Sequence, residues 1–198
     1  MGAAMKLRKP GRREGGFTLI EVMVAIAIMS IGILAVVASF ATAVAHTQYA
    51  QENMIARQKA MEAMESIFAA RNTQQVTFAQ IANVANGGIF SNAATQLLCA
   101  GIDGLVNTTD DANCPASGPC PAGPECVVTP GPDGVLGTPD DTAMSLANFT
   151  RQVQINTVLE SDGVTVDPNL KQVIVTVTFK VNGATRTYSV QGLISAFR

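Results

Sequence analysis

A stretch of 24 uncharged residues, 22–45, follows a lone glutamate, Glu21, and constrains this chain more than any other feature. A helix rises about 1.5 Å per residue, so about 20 apolar residues cross the hydrocarbon core of a bilayer. Five basic residues and one acidic residue precede it: Lys6, Arg8, Lys9, Arg12, Arg13 and Glu14. Basic residues favour the cytoplasmic side of a membrane. We therefore predict one membrane-spanning helix, with its N-terminal side in the cytoplasm and the following residues exported.

Glu21 is unusual, because an unpaired carboxylate near the end of a membrane helix costs roughly a few kcal/mol. We expect an opposite charge to meet it. A secretory signal has an apolar core of about 7–15 residues and a cleavage site of small residues, which residues 43–45 imitate. The apolar run here is longer and contains Glu21. Arg12 and Arg13 imitate a twin-arginine signal, but the next residues do not continue it; an uncleaved signal anchor remains an alternative.

The segment RREGG|FTLIEVMVAIAIMSIGILAVV resembles the N-terminus of type IV prepilin-like proteins, which comprise pilins, minor pilins and the pseudopilins of type II secretion. The resemblance implies a leader peptide, residues 1–16, which a prepilin peptidase removes between Gly16 and Phe17. It also implies N-methylation of Phe17. Glu21 would then occupy the family's position for the assembly glutamate, which is thought to meet the N-terminal amine of a neighbouring subunit. Opposite charges that meet in a low dielectric compensate each other's burial.

The predicted helix continues beyond the membrane, because residues 46–71 contain no Pro or Gly and consist mainly of helix formers. Met54, Met61, Met64 and Phe68 recur at helical spacing, which predicts an apolar stripe packed against a core. We predict one helix from Phe17 to about Arg71. Its first half, 17–45, serves membrane insertion and assembly. Its second half is the spine of a periplasmic head domain, residues 46–198.

Composition excludes several functions for the head domain. Beyond the leader there is no basic patch and the chain has no Trp, so nucleic-acid binding has no electrostatic basis. No nucleophile beside a base and no phosphate-binding loop is suggested, so we predict a structural protein rather than an enzyme. Residues 73–98 form a linking region, in which we predict a short helix over 78–84.

Residues 99–142, called the insertion below, differ sharply from the rest. They hold seven of the nine prolines, all four cysteines and no Lys or Arg, which predicts an irregular loop. In an exported domain the cysteines are expected to form two disulfides, with three pairings possible. Pairing Cys99 with Cys114 and Cys120 with Cys126 is favoured because each bond closes a local loop. The spacing lacks the C-x2-C pattern of zinc sites.

The insertion also contains a repeat, G-x-D-G-[LV]-[LV]-x-T-x-D-D, at residues 101–111 (the first repeat) and 131–141 (the second repeat). Aspartates at this spacing, with glycines for tight turns, can bring oxygen ligands together around Ca²⁺. The pattern resembles the acidic calcium loop of some pseudopilins. The candidate ligands are Asp103, Asp110, Asp111, Asp133, Asp140 and Asp141. The alternative is a pair of solvated Asp-Gly turns that bind no metal.

From residue 148 onward the pattern predicts β-strands. Apolar and polar residues alternate over 149–159, 173–181 and 184–194. Turn signals stand at Asp162-Gly163, at 167–169 and at Asn182-Gly183. Three antiparallel strands with one apolar face need a cover, which the helix spine supplies. We predict an α+β, pilin-like fold, in which a long N-terminal transmembrane helix packs on a small antiparallel sheet.

The ending VIVTVTFKVNGATRTYSVQGLISAFR resembles minor pilins of the PilV type and minor pseudopilin I of type II secretion. The resemblance implies an inner-membrane subunit that enters a type IV pilus or a pseudopilus, at the tip or during initiation. It implies other pilin subunits, the peptidase–methyltransferase and the inner-membrane assembly platform as partners. The second hypothesis is a membrane-anchored protein whose acidic, Cys-rich loop binds a surface or a secreted substrate.

Overall fold

The computed structural model describes residues 16–197. The predicted leader, apart from Gly16, lies outside the described residues, as do its basic side chains. Helix α1 spans Leu19–Asn72, 54 residues, so the predicted start at Phe17 is two residues too early. The chain divides between His46 and Thr47 into two compact units, each described by itself below.

In the first unit, every side chain from residue 16 to residue 44 is exposed. A helix that is apolar on all sides is suited to lipid or to a helical partner rather than to water. By length and composition α1 is able to cross a membrane. It is the one helix of this kind among the described residues.

The second unit contains the rest of α1 and six strands. The strands are β1 Thr95–Gln96, β2 Cys126–Thr129, β3 Thr142–Ser145, β4 Phe149–Leu159, β5 Val166–Val181 and β6 Ala184–Ser195. Four of them form an antiparallel sheet in the order β1-β4-β5-β6, and β2 pairs with β3 separately. The α+β, pilin-like prediction is confirmed: a long N-terminal helix packs on an antiparallel sheet.

The buried face of α1 consists mainly of alanines. Its buried residues are Ile55, Ala56, Ala60, Ala63, Met64, Ile67 and Ala70. The predicted methionine stripe was therefore wrong in part: Met64 is buried, but Met54 is 70% exposed and Met61 is 40% exposed. The small side chains allow the helix backbone to approach the sheet closely. The inner face of β4 and β5 supplies the bulk, chiefly Val153, Val173, Val175, Val177 and Phe179, all almost fully buried.

The predicted turn at 167–169 was wrong, because these residues lie inside β5. The turn residues occur instead at a break in the ladder, where Thr157 pairs with Lys171 but Val158 pairs with Asp167. Pro168 has no N–H to donate and fits a position where the regular pairing is interrupted. The short helix predicted over 78–84 was also wrong. Turns occupy 78–80, and a 3₁₀ helix follows at Val84–Asn86.

Two buried asparagines cover the edge of β4 that faces away from β5. The side-chain amide of Asn83 donates to the carbonyl of Val153 (2.8 Å), and the N–H of Ile155 donates to the amide oxygen of Asn83 (2.8 Å). Asn107 donates in the same way to the carbonyl of Arg151 (3.1 Å). Strand β1 pairs with this edge only at Thr150 and Arg151. Beside that short pairing the amides replace the hydrogen bonds that a longer strand would make, so side chains close this part of the edge.

Candidate functional site

The start of α1 is organised by Thr18. Its hydroxyl oxygen accepts a hydrogen bond from the backbone N–H of Glu21 (3.4 Å), and its carbonyl accepts from the N–H groups of Glu21 and Val22 (3.1 and 3.2 Å). The spacing Thr-x-x-Glu is that of a capping box, in which Glu at the third helical position supports the helix start. The negative charge of Glu21 also interacts favourably with the positive end of the helix dipole. The structure shows the Thr18 half of a capping box, and the charge of Glu21 in the first turn of α1 adds a local role that sequence reasoning missed although the spacing indicates it.

The predicted cleavage position lies just before the helix. Gly16 and Phe17 are outside any regular structure, and Phe17 is 81% exposed. A side chain built on Gly16 would meet no atom within 4 Å. A larger residue at this position would therefore not disturb the folded chain, and any effect on processing would come from the enzyme that recognises it.

Glu21 is the single charged residue on an otherwise apolar and exposed surface in the described part of the first unit. Phe17 and Val22 lie next to it, and together with Ala25, Ile26 and Met29 they line a shallow groove. The groove brings the one carboxylate to an apolar surface that is open to a neighbouring helix.

The four cysteines of the insertion are joined as Cys99–Cys114 and Cys120–Cys126, with Cα–Cα distances of 5.0 and 6.1 Å. This is the local pairing that the sequence favoured. Closing a loop of about 15 residues contributes about 3 kcal/mol through the unfolded state. Isolated β-bridges, such as those between Cys99 and Ala112 and between Cys114 and Gly123, add further ties.

The insertion is not wholly irregular, because β2 and β3 pair over four residues on each side of the second repeat. This hairpin was not predicted. The first repeat is attached differently: Asn107 and Leu105 are buried in the head domain. Two copies of one motif therefore occupy different surroundings, the first held in the core and the second at the exposed end of a hairpin.

The two repeats share a set of hydrogen bonds. In the first, the carboxylate of Asp110 accepts from the hydroxyl of Thr108 (2.7 Å) and from the N–H of Asp103 (3.3 Å). In the second, Asp140 accepts from Thr138 (2.6 Å) and from the N–H of Asp133 (3.3 Å). These hydrogen bonds, led by the threonine hydroxyls, hold the pKa values of Asp110 and Asp140 below their ordinary range.

The final aspartate of each repeat closes the turn. Asp111 accepts from the N–H of Asn107 (2.7 Å), and Asp141 accepts from the N–H of Gly137 (2.6 Å). Burial raises the pKa of Asp111 and outweighs its hydrogen bonds. Most carboxylate oxygens thus already have donors, and within residues 16–197 no three His, Cys, Asp or Glu side chains are grouped so as to hold a metal. The calcium site stays a prediction.

An ionic cluster around the buried side chain of Arg151 joins the insertion to the helix and the sheet, and sequence reasoning missed it. Lys59 of α1 lies 2.6 Å from the carboxylate of Glu125, and Arg151 of β4 lies 3.6 Å from the other oxygen of the same group. The side chain of Arg151 is 1% exposed. Its Nε donates to the amide oxygen of Asn107 (2.8 Å), whereas its Nη2 has no partner among the described residues. Glu125 is thus the anion shared by two cations.

The pKa directions agree with this arrangement. Burial lowers the pKa of Arg151, and the charges of Glu125, Asp111 and Glu62 oppose that effect. Burial alone would lower the pKa of Lys59, but its hydrogen bonds and ion pairs with Glu125 and Glu62 together raise it. One signal in the sequence indicates the cluster: Arg151 occupies an inward-facing position between Phe149 and Val153 in an alternating strand.

A cleft of about 420 Å³ lies between α1 and the insertion, wholly within the second unit. Both disulfides, several prolines and the carboxylates of Glu62 and Glu125 line it. Its shape depends on the disulfides and on the ionic cluster, since these hold the insertion against the helix.

Residues 11–37 match the family model described as the prokaryotic N-terminal methylation motif. The match includes Gly16, Phe17 and Glu21. This N-terminal match supports a type IV prepilin-like protein, a pilin or pseudopilin processed by prepilin peptidase. The apolar helix together with the motif fits a single-pass inner-membrane protein. No curated protein and no solved structure matches the chain significantly.

The ionic cluster predicts a large effect for one substitution. Glu125→Gln removes the anion nearest to buried Arg151 while Asp111 still faces it, so the cost is up to the roughly 3–5 kcal/mol of breaking a fully buried ion pair. We expect the free energy of unfolding of the full chain in detergent to fall by up to that amount, measured by urea titration of tyrosine fluorescence. Glu62→Gln is the control, because the side chain of Glu62 is 56% exposed and such pairs contribute about 1 kcal/mol or less. Equal effects of the two substitutions would contradict the role of Glu125.

Proposed function

We propose that this protein is a subunit of a type IV pilus or of a type II secretion pseudopilus. In this proposal, prepilin peptidase cuts between Gly16 and Phe17 and the new N-terminus is methylated. Before assembly the subunit resides in the inner membrane with its head domain in the periplasm. The assembly platform then moves it into a filament beside other pilin subunits. The observation that carries the proposal is the methylation motif in front of a helix that is exposed, apolar and charged only at Glu21.

Physical chemistry supports a partner for Glu21. Cleavage would leave an amine at Phe17, two residues before the first residue of α1. A positive charge is unfavourable at the N-terminal end of a helix, whose dipole is already positive there. In an apolar environment that amine needs a carboxylate close by. Glu21 of an adjacent subunit supplies one, and the open groove beside Glu21 leaves space for the approach.

The processing step predicts a defined mature mass. The intact mass of the protein purified from its native membrane should correspond to a chain that begins with N-methylated Phe17. Gly16→Ile should block cleavage, because the peptidase requires a small residue before the cut. Gly32→Ile is the matched control: a side chain at Gly32 also meets no atom within 4 Å, and its processing should be normal. An unchanged mature mass in the Gly16 variant would refute the assignment.

Two substitutions of Glu21 separate its roles. Glu21→Gln keeps a side chain that a capping box accepts but removes the charge, whereas Glu21→Val removes both. If the charge pairs with a neighbour's amine, both variants should be processed normally and both should be lost from the filament fraction. The measurement compares variant protein in sheared filaments with that in membranes. Normal incorporation of the Gln variant would mean that helix capping, not charge pairing, is the function of Glu21.

We infer further that the subunit is a minor one, of the PilV type or the minor pseudopilin I type, with a position at the tip or in the initiation complex. The support is the C-terminal hairpin. Strands β5 and β6 pair over twelve residue positions, from Leu170–Ser195 to Val181–Ala184. The two strands join at Asn182-Gly183. This hairpin is formed by the C-terminal segment whose sequence resembles the ends of these minor subunits.

We propose calcium as a ligand of the second repeat. Supporting this, Oδ1 of Asp141 is buried and has no hydrogen-bond partner among the described residues. Millimolar Ca²⁺ should raise the melting temperature of the full chain over that in chelator, since a ligand at 100 times its dissociation constant stabilises by about 2.7 kcal/mol. Asp140→Asn should abolish the shift. Asp162→Asn is the control, because Asp162 accepts similar hydrogen bonds in a turn outside the repeats. If Ca²⁺ does not change the melting temperature of the unmodified chain, the proposed calcium site is refuted.

The cleft beside the insertion favours a second function, that of a membrane-anchored binding protein. Its acidic, disulfide-bounded wall would contact a surface or a secreted substrate. The mature mass distinguishes the two proposals, because an anchored binding protein requires neither cleavage after Gly16 nor methylation of Phe17.

A further inference from the structure

The end of the β5–β6 hairpin lies beside the part of α1 that follows the apolar segment. The ring of Tyr49 stacks near that of Phe179, with 6.4 Å between the ring centroids. The guanidinium of Arg186 lies 5.6 Å from the centroid of Tyr49. Tyr49 comes four residues after the last residue of the uncharged stretch, which is about 6 Å along a helix. The polar headgroup layer of a bilayer extends about this far beyond its hydrocarbon core.

Two basic residues flank the turn at this end. Lys180 and Arg186 are both exposed and stand on either side of the turn at 181–184. The carboxylate of Glu52 lies on the same end of the head domain, where the side chain of Asn148 approaches both it (3.5 Å) and the carbonyl of Lys180 (3.3 Å). The hairpin end therefore carries two positive charges against one nearby acid.

Most other cations of the head domain are engaged elsewhere. Lys59 and Arg151 belong to the ionic cluster around Glu125. Lys171 donates to two carbonyls, those of Phe78 and Ile81, and Arg71 donates to the carbonyl of Ala196. Arg57 is exposed on α1. A paired set of exposed cations at one turn thus stands out in this part of the molecule.

One group of acidic residues lies at the opposite end of the sheet, whereas Asp111 and Glu125 face Arg151, which pairs with Val177 four residues before Val181. Beyond residue 46 the chain has thirteen acidic and eight basic residues, and six of the acids are in the two repeats. Three more, Glu160, Asp162 and Asp167, lie around the β4–β5 turn. Strand β5 separates that turn from the one at 181–184 by 16 residues, about 50 Å in an extended strand. The sheet is therefore acidic at one end and basic at the end beside Tyr49.

We propose that the β5–β6 hairpin end is a membrane-surface contact, in which Lys180 and Arg186 bind the anionic headgroups of the leaflet from which the head domain projects. This rests on the proposed membrane-anchored state. Tyr49 lies in the interface, where aromatic and basic residues are enriched. Each basic residue near an anionic surface contributes a factor of about five in affinity. Such a contact is weak alone, but α1 tethers the hairpin to the bilayer, so the contact becomes intramolecular.

The consequence is a defined orientation of the head domain before assembly. The tilt of a membrane helix is set by its packing and by interfacial Tyr, Lys and Arg anchors. With the hairpin on the headgroups, the end of the head domain near Tyr49 faces the leaflet and the acidic β4–β5 turn lies at the far end of the sheet. A subunit that enters a filament must release this contact, so the anionic lipid content of the membrane sets the ease of extraction.

The test uses the full chain in lipid nanodiscs at one copy per disc. Discs contain either zwitterionic lipid or a mixture with anionic phosphatidylglycerol, and both carry a nitroxide on a fraction of the headgroups. We expect paramagnetic broadening of the amide signals of 181–184 in the anionic discs, with loss of broadening in zwitterionic discs and at 0.5 M salt. The amides of the 162–165 turn are the internal reference and should stay sharp.

A double variant, Lys180→Gln with Arg186→Gln, should lose the broadening. Arg57→Gln, a single neutralisation elsewhere on the exposed surface, should keep it. Equal broadening in both lipids, or broadening that survives in the double variant, overturns the proposal. Broadening that occurs only with several copies per disc also overturns it and indicates contact between head domains. A chain that does not enter the discs refutes the membrane assignment as well, whereas a normal mature mass with a sharp 181–184 turn refutes this inference alone.

Discussion

The contact between the alanine face of α1 and the inner face of the sheet is the interaction on which the head domain depends. Ala56, Ala60 and Ala63 are fully buried, so the helix backbone lies close to the strands. The valines and phenylalanines of β4 and β5 fill the space that the alanines leave. Gly192 in β6 follows the same constraint, because a side chain there would lie 3.1 Å from the ring of Phe68. Bulk on one layer is matched by small residues on the other, as close packing requires.

The insertion depends on that contact indirectly. Its two disulfides close local loops, but neither joins it to the helix or to the four-stranded sheet. Glu125 makes that connection by facing Lys59 from α1 and Arg151 from β4. The first repeat adds a second connection through Asn107, which bonds both the side chain and the carbonyl of Arg151. A loop rich in proline and glycine is therefore held by charge and amide hydrogen bonds at a few points, together with apolar side chains such as Leu105 and Val127 that pack on the core.

The single helix α1 meets two environments and its composition changes accordingly. Up to residue 44 its side chains are exposed and apolar on every side, with one carboxylate at the start. From Thr47 it has one alanine-rich buried face and a mixed outer face with Met54, Arg57 and Met61. Met54 and Met61 lie outside the core because the alanine face of α1 is the face that packs on the sheet. Their exposed side chains are available for contacts with other molecules. Tyr49, beside the basic turn, comes just after the point in the sequence where the composition of α1 changes.

Much of this architecture followed from local patterns. The long helix, the alternating strands after residue 148 and the Asn182-Gly183 turn depend on periodicity and backbone preference, which act over a few residues. The motif around Gly16, Phe17 and Glu21 is likewise contiguous. What only the tertiary structure decided depends on residues far apart in the chain: the burial of alanines rather than methionines, the bulge at Pro168, the two asparagines on the edge of β4 and the cluster around Glu125. Packing brings Lys59 and Arg151 together around Glu125. No local sequence pattern predicts which distant charged residue will face a buried charged residue.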